Sequence, residues 1–323
     1  MQSKKILIIR FSSIGDIVLT SPIVRCLKKQ IKDVSIHYVT KEVFKETLIH
    51  NPYIDKIHTF KKDAAEIYPE LRAEKFDYII DLHKNLRSLM LKRQLNGKIF
   101  SFNKINIRKF AAVNFKMLSS LPDKHIVERY FETVAPLNVH SDNEGLNYFL
   151  SVDDFIDLKK IYFNNAETKF TALVVGGSYY TKKIPLKKLE EICAKIKTPI
   201  IALGNKDDMN IAKALEKKFP AVINACGKYS INQSVSIIKQ AELIITPDTG
   251  LMHIAAAFNK KIISLWGNTI PEFGMAPYLP NKENKILEIK NLSCRPCSKL
   301  GYNKCPKGHF KCMMDIDVSK MDL

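Results

Sequence analysis

The densest group of chemistry-bearing residues runs from Thr246 to Thr269, TPDTGLMHIAAAFNKKIISLWGNT. An apolar strand pattern, Ala241 to Thr246, leads straight into Pro247-Asp248-Thr249-Gly250. A small-residue helical stretch follows, then a second apolar strand, Lys261 to Trp266, ending in Gly267-Asn268-Thr269. Helix N-termini present unpaired backbone N–H groups and a positive dipole end, which suits phosphates. Open α/β sheets bind ligands outside the carboxyl ends of their strands. The segment therefore predicts an anionic, nucleotide-linked ligand. Asp248 would meet a hydroxyl or ribose, and Thr249 and Gly250 would offer N–H groups to a diphosphate. His253 falls one turn on, near the Gly250 face. It is either a core histidine or a neighbour of the anion site.

Two further loops could carry chemistry. The first is Arg10-Phe11-Ser12-Ser13-Ile14-Gly15-Asp16. Asp16 opens the predicted helix, so it reads either as an N-cap or as a carboxylate placed to act as a general base. The second is Gly176 to Pro185, GGSYYTKKIP. Its glycines allow close approach, Ser178 offers a hydroxyl, and a lysine offers a point charge for phosphate. The plain alternative is a Gly-rich connector with solvated lysines. Neither a P-loop nor a G-x-G-x-x-G fingerprint is present.

Cysteine is the third feature. Cys294-x2-Cys297-x7-Cys305-x6-Cys312 lies in a Pro/Gly/Lys-rich tail with His309 inside it. Four cysteines so placed match a tetrahedral zinc site in kind. Unligated thiols and redox-sensitive thiols are the alternatives. Cys26, Cys193 and Cys226 sit in apolar patterns and read as packing residues. The Asp315-Ile316-Asp317 pair is too remote from the other sites to count as a metal motif.

These residues need elements to position them. At 323 residues the chain is long for one domain, and 46% apolar residues suffice for sizeable cores. Short β-rich runs alternate with helical patterns, which argues for βα units and parallel sheets. Strands are expected at Lys5–Ile9, Val34–Val39, Lys56–Thr59, Tyr78–Leu82 and Lys98–Phe100. A second series follows at Phe170–Val175, Pro199–Leu203, Val222–Asn224, Leu243–Thr246 and Lys261–Trp266. The polar stretch Ser151 to Thr168 separates the two series. The expected fold class is α/β with two doubly wound, Rossmann-like domains, residues 1–160 and 161–323, facing each other across a ligand cleft.

The net charge of +18 favours anionic partners, although a lysine-rich proteome would also produce it. No acid occurs from Leu82 to Pro122, where nine lysines and arginines alternate with Phe100, Phe102, Phe110 and Phe115. Such a strip suits a membrane surface or an acidic substrate. No nucleic-acid motif lies in it, so no nucleic-acid partner is expected. The first apolar run, Ile6 to Ile9, is too short for a leader or a spanning helix. The expectation is a cytoplasmic chain, at most peripheral to a membrane.

Together these stretches resemble glycosyltransferase family nine, the bacterial lipopolysaccharide heptosyltransferases. The resemblance rests on R-x-S-S-x-G-D at Arg10 to Asp16, D-L-x-x-x-x-R-S at Asp81 to Ser88, and T-K-x-x-P at Thr181 to Pro185. It also rests on P-D-T-G-x-x-H-x-A-A-A from Pro247 to Ala257 and G-x-T from Gly267 to Thr269. The cysteine tail looks like that of heptosyltransferase II-type members. The resemblance implies a GT-B fold and inverting, metal-independent transfer of a heptose from an ADP-heptose-like donor to a phosphorylated or acidic glycolipid of the lipopolysaccharide inner core. It makes Asp16 the catalytic base. Lys182, Ser178, Thr249 and Gly250 would hold the donor diphosphate, Asp248 a sugar or ribose hydroxyl, and Tyr229 the adenine edge. Ser12, Ser13, Gly15 and Arg87 would fall on the acceptor side. An acidic donor contact would lie near Gly204 to Asp207, and Ile184 stands where the family has tryptophan.

The implied setting is the cytoplasmic face of an anionic inner membrane. No cofactor is implied for catalysis, and a structural zinc is the candidate for Cys294, Cys297, Cys305 and Cys312. The alternatives are another nucleotide-sugar donor, a GT-B sugar-nucleotide epimerase, or a basic zinc-containing binding module without enzymatic activity.

Overall fold

The computed structural model describes residues 3–321. The chain divides into two compact units. Unit 1 takes the residues up to 105 together with 124–149, and unit 2 takes 106–123 and 150 onward.

Unit 1 is built on five parallel strands: β1 (Lys4–Ile9), β2 (Val34–Lys41), β3 (Lys56–Phe60), β4 (Tyr78–Asp81) and β5 (Lys98–Ser101), in the order β3-β2-β1-β4-β5. Its helices are α1 (Ile14–Val18), α2 (Ser21–Gln30), α3 (Tyr68–Glu74) and α4 (Leu86–Arg93), joined by α6 (Ile126–Val134) after the excursion of α5 (Asn106–Asn114) into unit 2. Strand β1 is the hydrophobic axis, with Ile6 to Ile9 fully buried. A run buried on both faces is what a parallel sheet covered by helices requires. The helix predicted to open at Asp16 is broken into α1 and α2, with Pro22 in the first turn of α2. Proline fits the first helical turn but not a helix interior.

Unit 2 carries six parallel strands: β6 (Thr171–Val174), β7 (Ile200–Leu203), β8 (Val222–Asn224), β9 (Leu243–Pro247), β10 (Lys261–Trp266) and β11 (Lys285–Glu288). Their order is β11-β10-β9-β6-β7-β8. The helices are α7 (Leu158–Tyr162), α8 (Leu186–Cys193), α9 (Met209–Lys218), α10 (Ile231–Gln240), α11 (Gly250–Ala257) and α12 (Lys311–Met314). Two apolar layers cover the sheet. One holds Leu189, Ile192 and Met313, the other Ile237, Met252 and Trp266.

Both sheets have the doubly wound order, in which the chain starts in the middle, winds outward, then returns to wind the other way. Adjacent loops leave in opposite directions at the reversal, between β1 and β4 and between β6 and β9. That is where open α/β sheets bind ligands.

Residues 106–123 depart from the expected 1–160 and 161–323 division. Ala112 packs with Ile270 and Phe273, Lys109 lies over the Phe273 ring at 5.5 Å, and Lys116 Nζ donates to the Pro296 carbonyl at 2.8 Å. These contacts hold α5 on unit 2. β11 has no expected counterpart because Lys285, Ile286, Leu287 and Glu288 are too short and mixed a run to read as a buried strand.

A buried polar chain lies in unit 1. His37 Nδ1 and His58 Nε2 are 2.9 Å apart, and His58 Nδ1 meets Glu70 at 2.6 Å. Glu74 is within ligand distance of both rings. Its carboxylate is already held by Lys5 at 2.7 Å and Lys56 at 2.6 Å, so both of its oxygens are engaged by ammonium groups that a cation would have to displace. The arrangement is a hydrogen-bonded relay. Burial pushes the His37 ring down to about 4, helped by His58, Lys5 and Lys56 and opposed by Glu74. The folded ring is thus neutral where an unfolded one is charged. Between about pH 6.5 and 4 the unfolded chain binds more protons, so stability falls as the pH drops through that window. The expected loss from His37 is ~2–3 kcal/mol. Urea unfolding of wild type and His37→Asn across this window should show a shallower pH slope in the variant.

Candidate active site

At the reversal of the first sheet, β1 runs into Arg10 and then α1. Ser13 occupies the N-cap and Asp16 the third helical position, so Asp16 does not open the helix as expected. Ser13 donates to Asp16 Oδ2 through its backbone N–H at 3.2 Å and its hydroxyl at 3.0 Å. The Arg10 guanidinium pairs with the other carboxylate oxygen at 2.6 Å. Arg10 is itself buried, donating to the Leu82 carbonyl at 2.6 Å, the Tyr130 hydroxyl at 3.1 Å and the Ser12 carbonyl at 2.8 Å. Burial alone would raise the Asp16 carboxyl. Arg10 and Ser13 overcome it and hold the group below the ordinary aspartate range. Asp16 is therefore an ionised, immobilised carboxylate.

The neighbouring D-L-x-x-x-x-R-S stretch divides by role. Asp81 is fully buried and braces its own loop: its oxygens accept from the His83 and Lys84 N–H groups at 3.0 and 2.7 Å, and from Ser88 Oγ at 3.0 Å. Lys92 closes the carboxylate at 2.7 Å. Arg87 points out from α4 and is exposed. His83 was not singled out from sequence. Its buried Nδ1 has no hydrogen-bond partner, and burial, aided by Arg10, pushes the ring down to about 4. It is a neutral imidazole beside the Arg10 loop.

At the reversal of the second sheet, the loop after β6 meets the loop after β9. Lys182 Nζ lies 2.5 Å from Asp248 Oδ2, a contact between residues 66 positions apart. The Thr269 hydroxyl, beyond the end of β10, donates to the same oxygen at 2.9 Å. Thr249 is the N-cap of α11, its hydroxyl 3.2 Å from that of Thr246, and Gly250 is the first helical residue. The structure thus gathers Lys182, Asp248, Thr249, Gly250 and Thr269 at one strand-end edge. His253 is buried within α11, and Ser178 is exposed on the Lys182 loop. Tyr229 lies on the loop before α10, its hydroxyl 2.6 Å from that of Tyr162. In the Gly204 to Asp207 stretch the acid that is engaged is the next one, Asp208. It is buried and pairs with Lys183 at 2.6 Å.

Three residues behind this edge were missed from sequence. Arg295 donates to the Gly267 and Thr269 carbonyls at 2.7 and 2.8 Å. Tyr302 exchanges bonds with Thr181 through its backbone N–H and carbonyl, at 2.8 and 3.1 Å. Asn268 is buried with neither amide atom hydrogen-bonded. The signal available was Arg295's place inside Cys294-x2-Cys297, where a solvated lysine would serve if the turn were only a metal knuckle.

The chemistry of the two edges is complementary in kind. One presents a fixed carboxylate, the other a fixed ammonium beside a helix N-terminus. Among the described residues no helix is long and apolar enough to cross a membrane.

Residues 65–304 match the family model of glycosyltransferase family 9 (heptosyltransferase). The chain is 29% identical over 310 residues to lipopolysaccharide heptosyltransferase 1 of Campylobacter coli, covering 88% of this chain and 89% of that one. Among solved structures, a family 9 glycosyl transferase from Veillonella parvula superposes with a TM-score of 0.80 at 19% identity, covering 99% and 96% of the two chains. The E. coli heptosyltransferase WaaC with ADP gives 0.67 at 18% identity, covering 87% and 92%. The chain is a glycosyltransferase of the GT-B fold and belongs to glycosyltransferase family 9, the heptosyltransferases.

Proposed function

We propose that this enzyme transfers a heptose, or a closely related sugar, from an ADP-linked donor to a hydroxyl of the lipopolysaccharide inner core, with inversion. The observation that carries this reading is the Lys182–Asp248–Thr269 group beside the N-terminus of α11. Glycosyl transfer passes through an oxocarbenium-like state while a phosphate departs. Lys182 and the Thr249 and Gly250 N–H groups supply positive charge where the phosphate gains its negative charge. The reading therefore calls for no catalytic cofactor. Ser178 and His253 are assigned beside the diphosphate and Tyr229 to the adenine edge. Asp248 holds Lys182 and meets a donor hydroxyl.

Asp16 takes the proton of the acceptor hydroxyl as its oxygen bonds to the anomeric carbon and the bond from that carbon to phosphate breaks. The attacking hydroxyl becomes strongly acidic as that bond forms, so a weakly basic carboxylate suffices. Ser12, Ser13, Gly15 and Arg87 are assigned to the acceptor side. The setting is the cytoplasmic face of the inner membrane. Basic and apolar residues of the acid-free strip support peripheral contact there. On α5 and the turn after it, Ile107 is 85% exposed, Phe110 59% and Phe115 68%, among Arg108, Lys109 and Lys116. This part of the strip belongs to unit 2, while residues 82–105 belong to unit 1.

Purified enzyme should turn over ADP-heptose with a truncated core acceptor. Asp16→Ala should lower kcat by about 10²- to 10⁴-fold while the chain still folds, with a lowered unfolding midpoint because the buried Arg10 loses its partner; near-normal turnover removes Asp16 from the base role. Arg10 holds Asp16 ionised, so the acidic limb of kcat/KM should lie below the ordinary carboxylate range. Arg10→Gln should move that limb to higher pH, and an unmoved limb would show that Asp16 does not set it. Lys182→Met should weaken ADP binding, read by calorimetry, by about 10- to 100-fold, the loss of one charged hydrogen bond. Phe110→Ser with Phe115→Ser should release the enzyme from vesicles rich in anionic lipid, and wild-type binding should weaken with salt. Equal sedimentation of variant and wild type counts against this membrane contact.

A further inference from the structure

The cysteine-rich tail is physically tied to the site just described, at both of its halves. The Cys294-Arg295-Pro296-Cys297 turn holds the strand end that carries Thr269. Arg295 bonds the carbonyls of Gly267 and Thr269, and the Cys297 N–H bonds that of Asn268 at 3.1 Å, so three successive carbonyls are clasped. Glu288 pins the Arg295 guanidinium at 2.6 Å, both side chains being nearly out of water. Lys116 clamps the turn from the other side, donating to the Cys294 and Pro296 carbonyls at 3.3 and 2.8 Å. Further on, Tyr302 is paired with Thr181, the residue before Lys182.

The approach is close enough to require glycine. A Cβ on Gly301, whose φ is +136°, would lie 2.6 Å from Tyr179 Cβ, and one on Gly267 would lie 3.0 Å from both Met313 Cε and the Thr181 carbonyl oxygen. The tail is therefore a strap: one end fixes the Thr269 that holds Asp248, and the middle fixes the backbone that carries Lys182.

The segments of strap that touch the site are flanked by the four cysteines. Cys294 and Cys297 bracket Arg295, while Cys297 and Cys305 close the loop bearing Gly301 and Tyr302. All four are free thiols. Cys294 Sγ lies 3.8 Å from His309 Nε2, and the Cys297 thiol donates to the Cys294 carbonyl at 2.9 Å. Among the described residues the four thiols do not stand at ligand spacing. Among the described residues only His37, His58 and Glu74 have ligand atoms within 4.8 Å of one another.

We propose that Cys294, Cys297, Cys305 and Cys312 take one soft divalent cation of the zinc class, and that its binding locks the strap onto the Lys182–Asp248 edge. The strap's importance for catalysis rests on the donor reading above, but its existence does not. Four thiolates favour zinc over hard cations and close a tetrahedron with bonds of about 2.3 Å. Such a site carries two net negative charges. Lys299, Lys304, Lys307 and Lys311 lie in the same segment, which has no acid between Cys294 and Cys312. Binding displaces the thiol protons, so the cation itself supplies the free energy that draws the ligands together. His309, the histidine between Cys294 and Cys312, stands beside Cys294 as an alternative ligand.

The test uses the full chain, reduced and stripped with chelator, then titrated with zinc or cobalt(II). The expected result is one ion per chain, thiolate-to-cobalt charge-transfer absorption, and four of seven cysteines protected from alkylation. Proton release should accompany uptake. The amide exchange of Thr181, whose N–H bonds Tyr302, should slow by about tenfold on loading, since it opens only when the strap does. No stoichiometric ion, or equal alkylation with and without zinc, overturns the site. An ion retained by Cys297→Ser with Cys305→Ser but lost from His58→Asn places it at the histidine relay instead and also overturns the proposal. Unchanged Thr181 exchange on loading overturns the coupling. None of these readouts uses nucleotide, so a failure to bind ADP would undercut the donor reading and leave this one standing.

Discussion

The contact between Lys182 and Asp248 is the constraint around which unit 2 is arranged. It exists because β6 and β9 are neighbours although 66 residues separate the two side chains. Both side chains are mostly withdrawn from water, at 18% and 10% exposed. An ion pair in such a place gains little net stability, because desolvation offsets the attraction. Its value lies in placement. Asp248 Oδ2 receives both the ammonium and the Thr269 hydroxyl, so neither partner can swing away without leaving a charge unpaired. A lysine on a loop would otherwise sample many rotamers, each of which a ligand must freeze out. Here that ordering is done before any ligand arrives.

Unit 1 uses the same device with the roles exchanged. At its reversal point the acid is the group held and Arg10 is the holder. Arg10 is anchored by two carbonyls and a tyrosine hydroxyl before it reaches Asp16. A planar guanidinium with five donors can satisfy all of these at once, which a lysine could not. The consequence is chemical as well as geometric. A carboxylate held low by its partner stays ionised but is a poor base, which suits a reaction whose proton is surrendered only once the new bond is forming. Each sheet thus sets one opposite charge against the charge it holds in place.

Much of this was legible in the sequence, for physical reasons that can be named. Strands buried on both faces, such as Ile6 to Ile9, read as continuous apolar runs, and ten of the eleven described strands, including the part-exposed β3, β5 and β8, emerged near their observed limits. Asp248, Lys182 and Asp16 could be picked out because strand ends followed by Gly or Thr and a helix are where open sheets place ligands. What pairs with what could not be read. Asp16 looked like an N-cap because the residue before a helical pattern often is one, yet Ser13 takes that place and Asp16 folds back on it. Arg295, Tyr302 and Thr181 make bonds in which at least one partner is a backbone group far away in sequence, and such bonds leave no paired side-chain pattern. The break in the chain's division at residues 106–123 was hidden for a similar reason. The segment is held by Ala112 and Lys116, two residues that look like solvated helix surface.

That excursion changes how the acid-free strip should be understood. As sequence it is one basic, aromatic stretch; as structure it is shared. Unit 1 presents Leu86, Arg87, Leu89 and Met90 on α4, and unit 2 presents Ile107, Phe110 and Phe115 with their lysines. A short amphipathic segment of either kind holds a bilayer weakly, since its buried apolar area is small and its electrostatic part is screened by salt. Under the membrane contact proposed above, each segment by itself would give a reversible, salt-sensitive hold rather than a permanent anchor, because its apolar area is small and its charge is that of lysines and arginines in water.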